Sequence, residues 1–286
     1  MSLRSLSPIE GLSRTRTALL AASYLARTKA LSPKERAAAT LRLLKRWMRG
    51  SPTEAQVAFG PRELVFEAFH YPDWRVYRSV FVEREYATDY AGAVVVDIGA
   101  HRGLSAAFAL LKGCSWLFAY EPEPANDSFL QRNARAFEGP EQKTDVQQQA
   151  VGVENGTVTF YSYSESWSHS TSPRADKTPT GTHQVEQVAF DDVIAQAAAA
   201  AGPAAPVIVK LDAEGIEYDV LHAASPETLR AVSELFVEVH DYAPGTRASL
   251  EQHLSGSGMR LLSTRQSPGG RHHVLHFGRP PEGEAP

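Results

Sequence analysis

The sequence has almost no cysteine and no long hydrophobic segment. Cys114 is the single cysteine in 286 residues, which excludes an internal disulfide and the four-cysteine or cysteine–histidine zinc patterns. No run of about 18 apolar residues predicts a transmembrane helix. No apolar region with a cleavage cue near residue 1 indicates a secretory signal. From these absences we predict a soluble, cytoplasmic protein.

A strong net charge is also absent, although the charge is unevenly distributed. The chain carries −4 at pH 7, which gives no general reason to expect a nucleic-acid partner. Residues 1–50 hold 11 Lys and Arg but only Glu10 and Glu35 as acids, a net charge of +9. Apolar residues recur there at helical spacing, and Ser32-Pro33 is typical of a helix start. We therefore predict a basic helical extension over residues 1–60.

Two interpretations of this extension remain open. A basic amphipathic helix is typical of proteins that bind a membrane surface or nucleic acid. The simpler interpretation is a helical cap that packs on the core or on a second copy of the chain. We favour the cap, and therefore expect no nucleic-acid or membrane partner and a possible homodimer through these helices.

The second half of the chain alternates strand and helix patterns, which favours a mainly parallel, doubly wound α/β sheet. Predicted strands cover residues 94–96, 116–120, 146–151, 185–190, 207–211 and 235–239, and residues 259–262 and 273–277 are expected to add an antiparallel hairpin. We assign residues 61–278 to this domain and residues 279–286 to a disordered tail. The polar segment Ser162–Gln184 is long enough to be a lid over a binding site, and four aromatics are candidates to enclose a ring-bearing substrate: Trp74, Tyr77, Trp167 and Tyr242.

A glycine-bearing turn follows the first of these strands. The segment Val96–Gly103 places Gly99 and Gly103 four residues apart, with Ala100 and His101 between them. Glycine lets the backbone approach a ligand closely, but this spacing differs from the dinucleotide pattern G-x-G-x-x-G. Asp97, two residues before Gly99, suits a ligand that carries a cationic amino group.

A second acid stands where a doubly wound fold binds a ribose. The strand Trp116–Tyr120 ends at Glu121, 22 residues beyond Gly99. An acid at this distance accepts hydrogen bonds from ribose hydroxyls in such folds. We predict that Glu121 has this role.

Charged residues also follow two buried strands farther along. Asp212, Glu214 and Glu217 come after residues 207–211, while Glu238 and His240 share one face of the next strand by period-two alternation. Open α/β sheets bind ligands at the carboxyl ends of their strands. The acids suit an acid–base group, a metal site or the N-terminus of a helix.

These motifs together resemble one known family. The segments DIGAHRG, YEPEP, AVGVENGTV, KLDAEGIEYDVL and VEVH, in this order within residues 93–242, are similar to the FkbM methyltransferases. The resemblance implies the seven-stranded fold of class I methyltransferases and O-methylation of a natural product or sugar. It also implies S-adenosylmethionine (SAM) contacts from Asp97, Gly99, Gly103 and Glu121, with Ala100 and His101 in the same turn. His101 departs from the family, which usually has asparagine or a small polar residue there.

Methyl transfer requires an in-line approach of the acceptor to the methyl group, assisted by a base. His240 is the first candidate base, with Asp212 beside it and His101 in reserve. Alternatively, a divalent cation such as Mg²⁺ at Asp212, Glu238 and His240 activates the acceptor hydroxyl. Two other classes stay open: a non-catalytic SAM-binding module, and an NAD-dependent oxidoreductase, which the glycine spacing disfavours.

Overall fold

The computed structural model describes residues 14–48, 54–68, 70–164, 168–174, 177–240, 245–266 and 272–280. Its helices are α1 (Arg14–Arg27), α2 (Pro33–Met48), α3 (Tyr71–Tyr77), α4 (Leu104–Leu111), α5 (Pro124–Phe137), α6 (Phe190–Ala201), α7 (Glu217–Ala223), α8 (Pro226–Ala231) and α9 (Arg247–Gly256). Its strands are β1 (Glu54–Phe59), β2 (Arg62–Glu67), β3 (Val94–Ile98), β4 (Trp116–Tyr120), β5 (Lys143–Gln147), β6 (Ala150–Gly152), β7 (Gly156–Ser162), β8 (Gly181–Ala189), β9 (Val207–Leu211), β10 (Glu234–His240), β11 (Arg260–Gln266) and β12 (His272–Gly278). Within the described ranges, no helix combines the length and apolar character needed to cross a membrane.

Two compact units divide the chain after residue 85. The first contains the described residues up to 85 together with 135–137, and the second contains residues 86–134 and the described residues from 138 onward. The domain limits predicted after residues 60 and 278 stay predictions.

In the first unit, α2 begins with the cap expected at Ser32-Pro33. The Ser32 N–H donates to Glu35 Oε2 at 2.7 Å, and the Glu35 N–H donates to Ser32 Oγ at 3.3 Å. This reciprocal capping box satisfies two backbone donors of the first helical turn.

The strands β1 and β2 pair as an antiparallel hairpin, so residues 54–59 form a strand inside the segment where we expect helices.

The first unit has an aromatic core. Trp74 and Tyr77 are 1% and 0% exposed, and the Trp74 ring lies 4.8 Å from Phe66 while the Tyr77 ring lies 5.1 Å from Phe81. Aromatic rings at these separations stabilise one another beyond the area they bury. Trp74 and Tyr77 are therefore core residues and do not enclose a substrate, while Trp167 and Tyr242 lie outside the described residues.

The second unit contains the seven-stranded sheet, in the order β11-β12-β10-β9-β3-β4-β5. The strands β3, β4, β5, β9 and β10 are parallel, and β12 pairs antiparallel with both β10 and β11. All residues of β3 and β9 are buried, as expected for apolar β-branched runs at the centre of a parallel sheet. This confirms the predicted doubly wound, mainly parallel seven-stranded fold.

Strand order reverses between β3 and β9. From β3 the chain proceeds through β4 to β5 on one side, then returns to β9 on the other side. A crevice at the carboxyl ends of the strands opens where the order reverses, and this is where open α/β sheets bind ligands. The fold therefore places the turn after β3 and the turn after β9 at one site.

One predicted strand is wrong in its extent. The single strand predicted over residues 146–151 is two strands, because β5 ends at Gln147 in the large sheet while β6 pairs with β8 in a separate three-stranded sheet, β6-β8-β7.

The predicted C-terminal hairpin is confirmed as β11 and β12, with a bulge between Leu261 and Ser263. Residues 267–271, which join these two strands, and residues 281–286 of the predicted tail lie outside the described ranges.

Candidate functional site

The turn between β3 and α4 requires glycine at both predicted positions. Gly99 and Gly103 adopt φ of +69° and +77°, a region where a side chain is strained. A Cβ on Gly99 would lie 1.8 Å from the carbonyl oxygen of Asp212, and a Cβ on Gly103 would lie 2.8 Å from Leu130 Cδ1. The turn after β3 therefore lies directly against the turn after β9.

Backbone hydrogen bonds fix this turn against the neighbouring strand. The N–H groups of Gly99 and Ala100 both donate to the carbonyl oxygen of Tyr120, at 3.1 and 3.0 Å. His101 adopts a left-handed φ of +50°, and its N–H donates to Glu121 Oε2 at 2.8 Å. The glycine turn and the predicted ribose acid are thus one hydrogen-bonded unit.

Glu121 is buried at the end of β4. Besides the His101 N–H, the N–H of Glu123 donates to its Oε1 at 3.0 Å. Burial raises the pKa of Glu121 to about 7, against the opposing effect of these hydrogen bonds. Burial therefore favours the protonated form of Glu121, and hydrogen bonds from ribose hydroxyls would favour its carboxylate.

Asp97 is buried at the end of β3 and is paired with a lysine. Its Oδ2 accepts a hydrogen bond from Ser105 Oγ at 2.5 Å, and its Oδ1 lies 3.2 Å from Lys210 Nζ. Asp97 therefore lies in the strand that leads into the glycine turn, and any contact between Asp97 and the cofactor stays a prediction.

Lys210 is a site residue that the sequence motifs did not predict. Its Nζ donates to the carbonyl oxygens of Gly99 at 2.9 Å and Ile98 at 3.3 Å, and lies 3.5 Å from Asp212 Oδ2. Burial lowers the pKa of Lys210, but the carboxylates of Asp97 and Asp212 outweigh it and raise the pKa above its ordinary value. Lys210 therefore stays charged. A lysine inside the apolar strand VIVKL was the signal that could have identified it.

The three acids after β9 have different environments. Glu217 is fully buried, and its carboxylate accepts hydrogen bonds from the N–H groups of Ala213 and Gly215 at 3.0–3.1 Å. Glu214 adopts a left-handed φ of +56° and pairs with Arg174 at 2.8 Å. The Asp212 side chain is 24% exposed. Glu217 holds the turn together, and Asp212 remains accessible.

His240 lies among these acids at the end of β10. Its Nδ1 lies 3.2 Å from Glu217 Oε1, and its Nε2 lies 3.7 Å from Glu214 Oε2 and 3.8 Å from Glu238 Oε1. Burial lowers the pKa of His240, but Glu214 and Glu217 outweigh this effect and raise it well above 6.5. This environment favours a positive charge at the imidazole.

The structure brings the predicted metal ligands together in two groups. Within the described residues, His240 joins Asp212 and Glu214 in one group and Glu238 and His272 in another. In each group the candidate ligand atoms lie within 4.8 Å of one another. The predicted trio of Asp212, Glu238 and His240 is therefore divided between two groups that share the imidazole, and His272 is a further candidate.

The polar segment before β8 contacts the turn after β9. Ser170 Oγ donates to the carbonyl oxygen of Glu214 at 2.9 Å, and Arg174 Nη1 donates to its carboxylate at 2.8 Å. Strand β8 begins at Gly181, so the irregular part is shorter than the predicted lid over residues 162–184. Ser170 and Arg174 of this segment lie at the acidic end of β9, and a lid over the binding site stays a prediction.

The fold and these contacts define a class of protein. The doubly wound sheet has a glycine turn after β3 and, after β4, a buried acid at the position where such folds bind ribose. Acidic side chains surround an imidazole after β9 and β10. The sequence lacks the glycine pattern of pyrophosphate-binding enzymes. This combination is typical of Rossmann-like, SAM-dependent methyltransferases.

A sequence comparison identifies the family. Residues 97–256, more than half of the chain, match the methyltransferase FkbM domain. The chain belongs to the FkbM family of methyltransferases, and SAM is its methyl donor. No curated protein matches the chain.

Similar solved structures are distant. A magnesium protoporphyrin IX methyltransferase from Synechocystis PCC 6803 with bound SAM is 13% identical, with a TM-score of 0.36, over 67% of this chain and 72% of that chain. An rRNA methylase from Streptococcus thermophilus is 9% identical, with a TM-score of 0.39, over 71% and 96% of the two chains. Similarity at this level transfers no substrate to this chain.

Proposed function

We propose that this methyltransferase acts on a hydroxyl group of a small molecule, a natural product or a sugar. The structural observation that supports methyl transfer at this edge is the contact between the two turns, since the Gly99 backbone leaves no room for a side chain against the Asp212 carbonyl oxygen. The hydroxyl acceptor is proposed from the similarity to the FkbM family. The glycine turn, where the methyl donor is proposed to bind, and the acidic turn after β9, where the acceptor is proposed to bind, are therefore in direct contact. In-line methyl transfer depends mainly on such positioning.

The cofactor-binding residues are proposed to be Asp97, Gly99, Ala100, His101, Gly103 and Glu121. The chemistry of these groups suits SAM, because Glu121 supplies a buried carboxyl group for two ribose hydroxyls and the glycine turn exposes backbone close to the ligand. Asp97 supplies negative charge for an amino group. When bound, SAM supplies an electrophilic methyl group on a sulfonium.

Asp212 is the proposed base. Its side chain is 24% exposed, whereas the His240 side chain is 5% exposed and contacts carboxylates through both ring nitrogens. Asp212 is therefore better placed to take the proton of an incoming hydroxyl group. His240, the first candidate from the sequence, then positions the turn by its contact with Glu217.

The cofactor assignment is tested by isothermal titration with S-adenosylhomocysteine. We expect micromolar binding by the wild type and at least tenfold weaker binding by Glu121→Ala, because a pair of charge-assisted hydrogen bonds is lost. Glu123→Ala is the matched control, since it removes a carboxylate two residues away that contacts Ser162 instead. Absence of binding by the folded wild type would contradict the assignment.

The acceptor assignment is tested by S-adenosylhomocysteine release with sugars and phenolic compounds and with their amino analogues. We expect turnover with hydroxylated compounds and its loss in Asp212→Asn. Turnover confined to the amino analogues would contradict oxygen as the acceptor. Tight cofactor binding without turnover of any compound would favour the alternative of a non-catalytic SAM-binding module.

A further inference from the structure

The second group of ligand-type residues has the composition of a transition-metal site. Glu238 and His240 come from β10, and His272 is the first residue of β12. Two imidazoles and one carboxylate bind first-row transition metals, whereas Mg²⁺ prefers oxygen ligands and keeps several waters.

The distances in this group suit a single ion. Glu238 Oε1 lies 3.1 Å from His272 Nε2 and 3.8 Å from His240 Nε2. Two ligand atoms that are each about 2.1 Å from one ion lie roughly 3.0–3.4 Å apart in octahedral or tetrahedral geometry. Small side-chain adjustments therefore bring the three atoms into one coordination sphere.

Sheet register explains why the three residues meet. Glu238 and His240 are two residues apart on one strand, so their side chains lie on the same face of the sheet. In the antiparallel pair of β10 and β12, His240 is directly opposite His272, and Glu238 is opposite Val274. The three residues are thus held by the ladder between β10 and β12, at the end where His240 and His272 are paired.

Further hydrogen bonds orient two of these side chains. His240 Nδ1 contacts the fully buried Glu217, whose carboxylate is itself fixed by backbone N–H groups, so Nε2 is the nitrogen that faces Glu238. The Tyr86 hydroxyl donates to Glu238 Oε2 at 3.1 Å, so Oε1 is the oxygen that faces both imidazoles. A histidine held by a carboxylate through its other nitrogen is characteristic of metal sites.

The alternative group of Asp212, Glu214 and His240 is less suitable. Arg174 lies 2.8 Å from the Glu214 carboxylate, and Lys210 lies 3.5 Å from that of Asp212. An incoming ion at this position would compete with both side-chain cations. The contacts therefore favour the group that contains His272.

We propose that Glu238, His240 and His272 bind one divalent first-row transition-metal ion, of the Mn²⁺, Fe²⁺, Co²⁺ or Zn²⁺ type. The ion would lie beside Asp212, where the acceptor is proposed to bind, and would act as a Lewis acid on the acceptor hydroxyl oxygen. This catalytic role rests on the proposed function. The binding site itself does not depend on that function.

Metal binding is tested on the full chain after chelation and dialysis, with Co²⁺ as a spectroscopic probe and Zn²⁺ measured by equilibrium dialysis. We expect one ion per chain and visible Co²⁺ absorption bands typical of nitrogen and oxygen ligands. His272→Gln and Glu238→Gln are expected to weaken binding at least tenfold. Circular dichroism checks that each variant is folded.

His276→Gln is the matched control, because His276 lies on the same face of β12 but contacts Glu234 at 2.7 Å. It should bind the ion as the wild type does. Binding that survives His272→Gln but is lost in Asp212→Asn would place the ion in the other group and overturn the proposal, as would the absence of binding by the wild type. A parallel S-adenosylhomocysteine titration separates the two proposals, because it reports on the methyltransferase assignment alone.

Discussion

At the scale of single residues, Gly99 combines a left-handed backbone with a close approach to Asp212. We expect Gly99→Ala to lower the free energy of unfolding by at least about 4 kcal/mol, since the strained dihedral adds to a steric clash. Urea denaturation measures this change. In any fraction of the Gly99→Ala variant that still folds, we expect the turn after β3 to move away from the turn after β9.

Gly92→Ala separates the cost of the strained dihedral from the cost of the steric clash. Gly92 has a similar φ of +73°, but a Cβ there would meet nothing within 4 Å. The dihedral strain alone is expected to cost about 1–2 kcal/mol. Equal losses in the two variants would show that the contact with Asp212 does not constrain Gly99.

Glu121 gives the protein a pH-dependent stability. Burial raises its pKa from the ordinary 4.5 to about 7, so the folded protein holds this proton more tightly than the unfolded chain does. The resulting stabilisation is fully present below pH 4.5 and is lost as the pH rises through about 7. The expected loss is roughly 3 kcal/mol.

Glu121→Gln removes this titration and keeps the shape of the side chain. We expect the stability of the wild type relative to Glu121→Gln to fall by roughly 3 kcal/mol between about pH 4 and about pH 8, as measured by urea denaturation. All other titrating groups are shared, so their effects cancel in the comparison. Parallel stability profiles would contradict the raised pKa.

Some site residues were predictable from local sequence and others were not. Asp97 and Glu121 were predictable as candidates because each follows an apolar strand pattern at a set distance from the glycine turn. His272 was not found, because its neighbours depend on the register of an antiparallel pair that no local pattern specifies. Lys210 was overlooked among the acids that follow it.

At the scale of elements, apolar runs located the central strands well. The predicted limits of β4 and β9 agree with the structure to the residue, since these strands are short, apolar and bounded by turn signals. The break between β5 and β6 was missed because residues 146–151 continue the same pattern while the chain passes from one sheet to another.

The hairpin of β1 and β2 was missed for a different reason. Strand β1 alternates half-buried and buried residues over EAQVAF, a strand pattern, but it follows directly after two helical segments. Residues 78–83 form a π-helical segment that ends at Arg84 with φ +55°. Such a segment depends on packing that a short apolar run does not reveal.

At the scale of the whole molecule, the N-terminal helices expose apolar side chains. Leu41, Leu44 and Met48 lie at i, i+3 and i+7 of α2 and are 52%, 37% and 67% exposed, and Leu19 of α1 is 65% exposed. Residues at this spacing share one face of a helix. A second copy of the chain would bury this face, and the homodimer expected from the sequence stays our prediction.

Leu41→Asp tests this prediction by analytical ultracentrifugation. We expect a wild-type dimer and at least tenfold weaker association of the variant, because burial of a leucine contributes about 1.5–3 kcal/mol per side chain. Val153→Asp is the control, with the same 52% exposure outside these helices. A monomeric wild type would contradict the prediction and leave the membrane or nucleic-acid interpretation of this basic segment to be tested.

The position of β12 has a consequence for biosynthesis. It is the last strand among the described residues, yet it lies inside the sheet, between β10 and β11. Until β12 has been synthesised, β10 therefore lacks the strand that pairs with it on this side in the folded protein, and exposed apolar strand edges promote aggregation. His272 is the first residue of β12. A chain truncated before this strand therefore leaves the edge of β10 unpaired and also lacks one residue of the Glu238, His240 and His272 group.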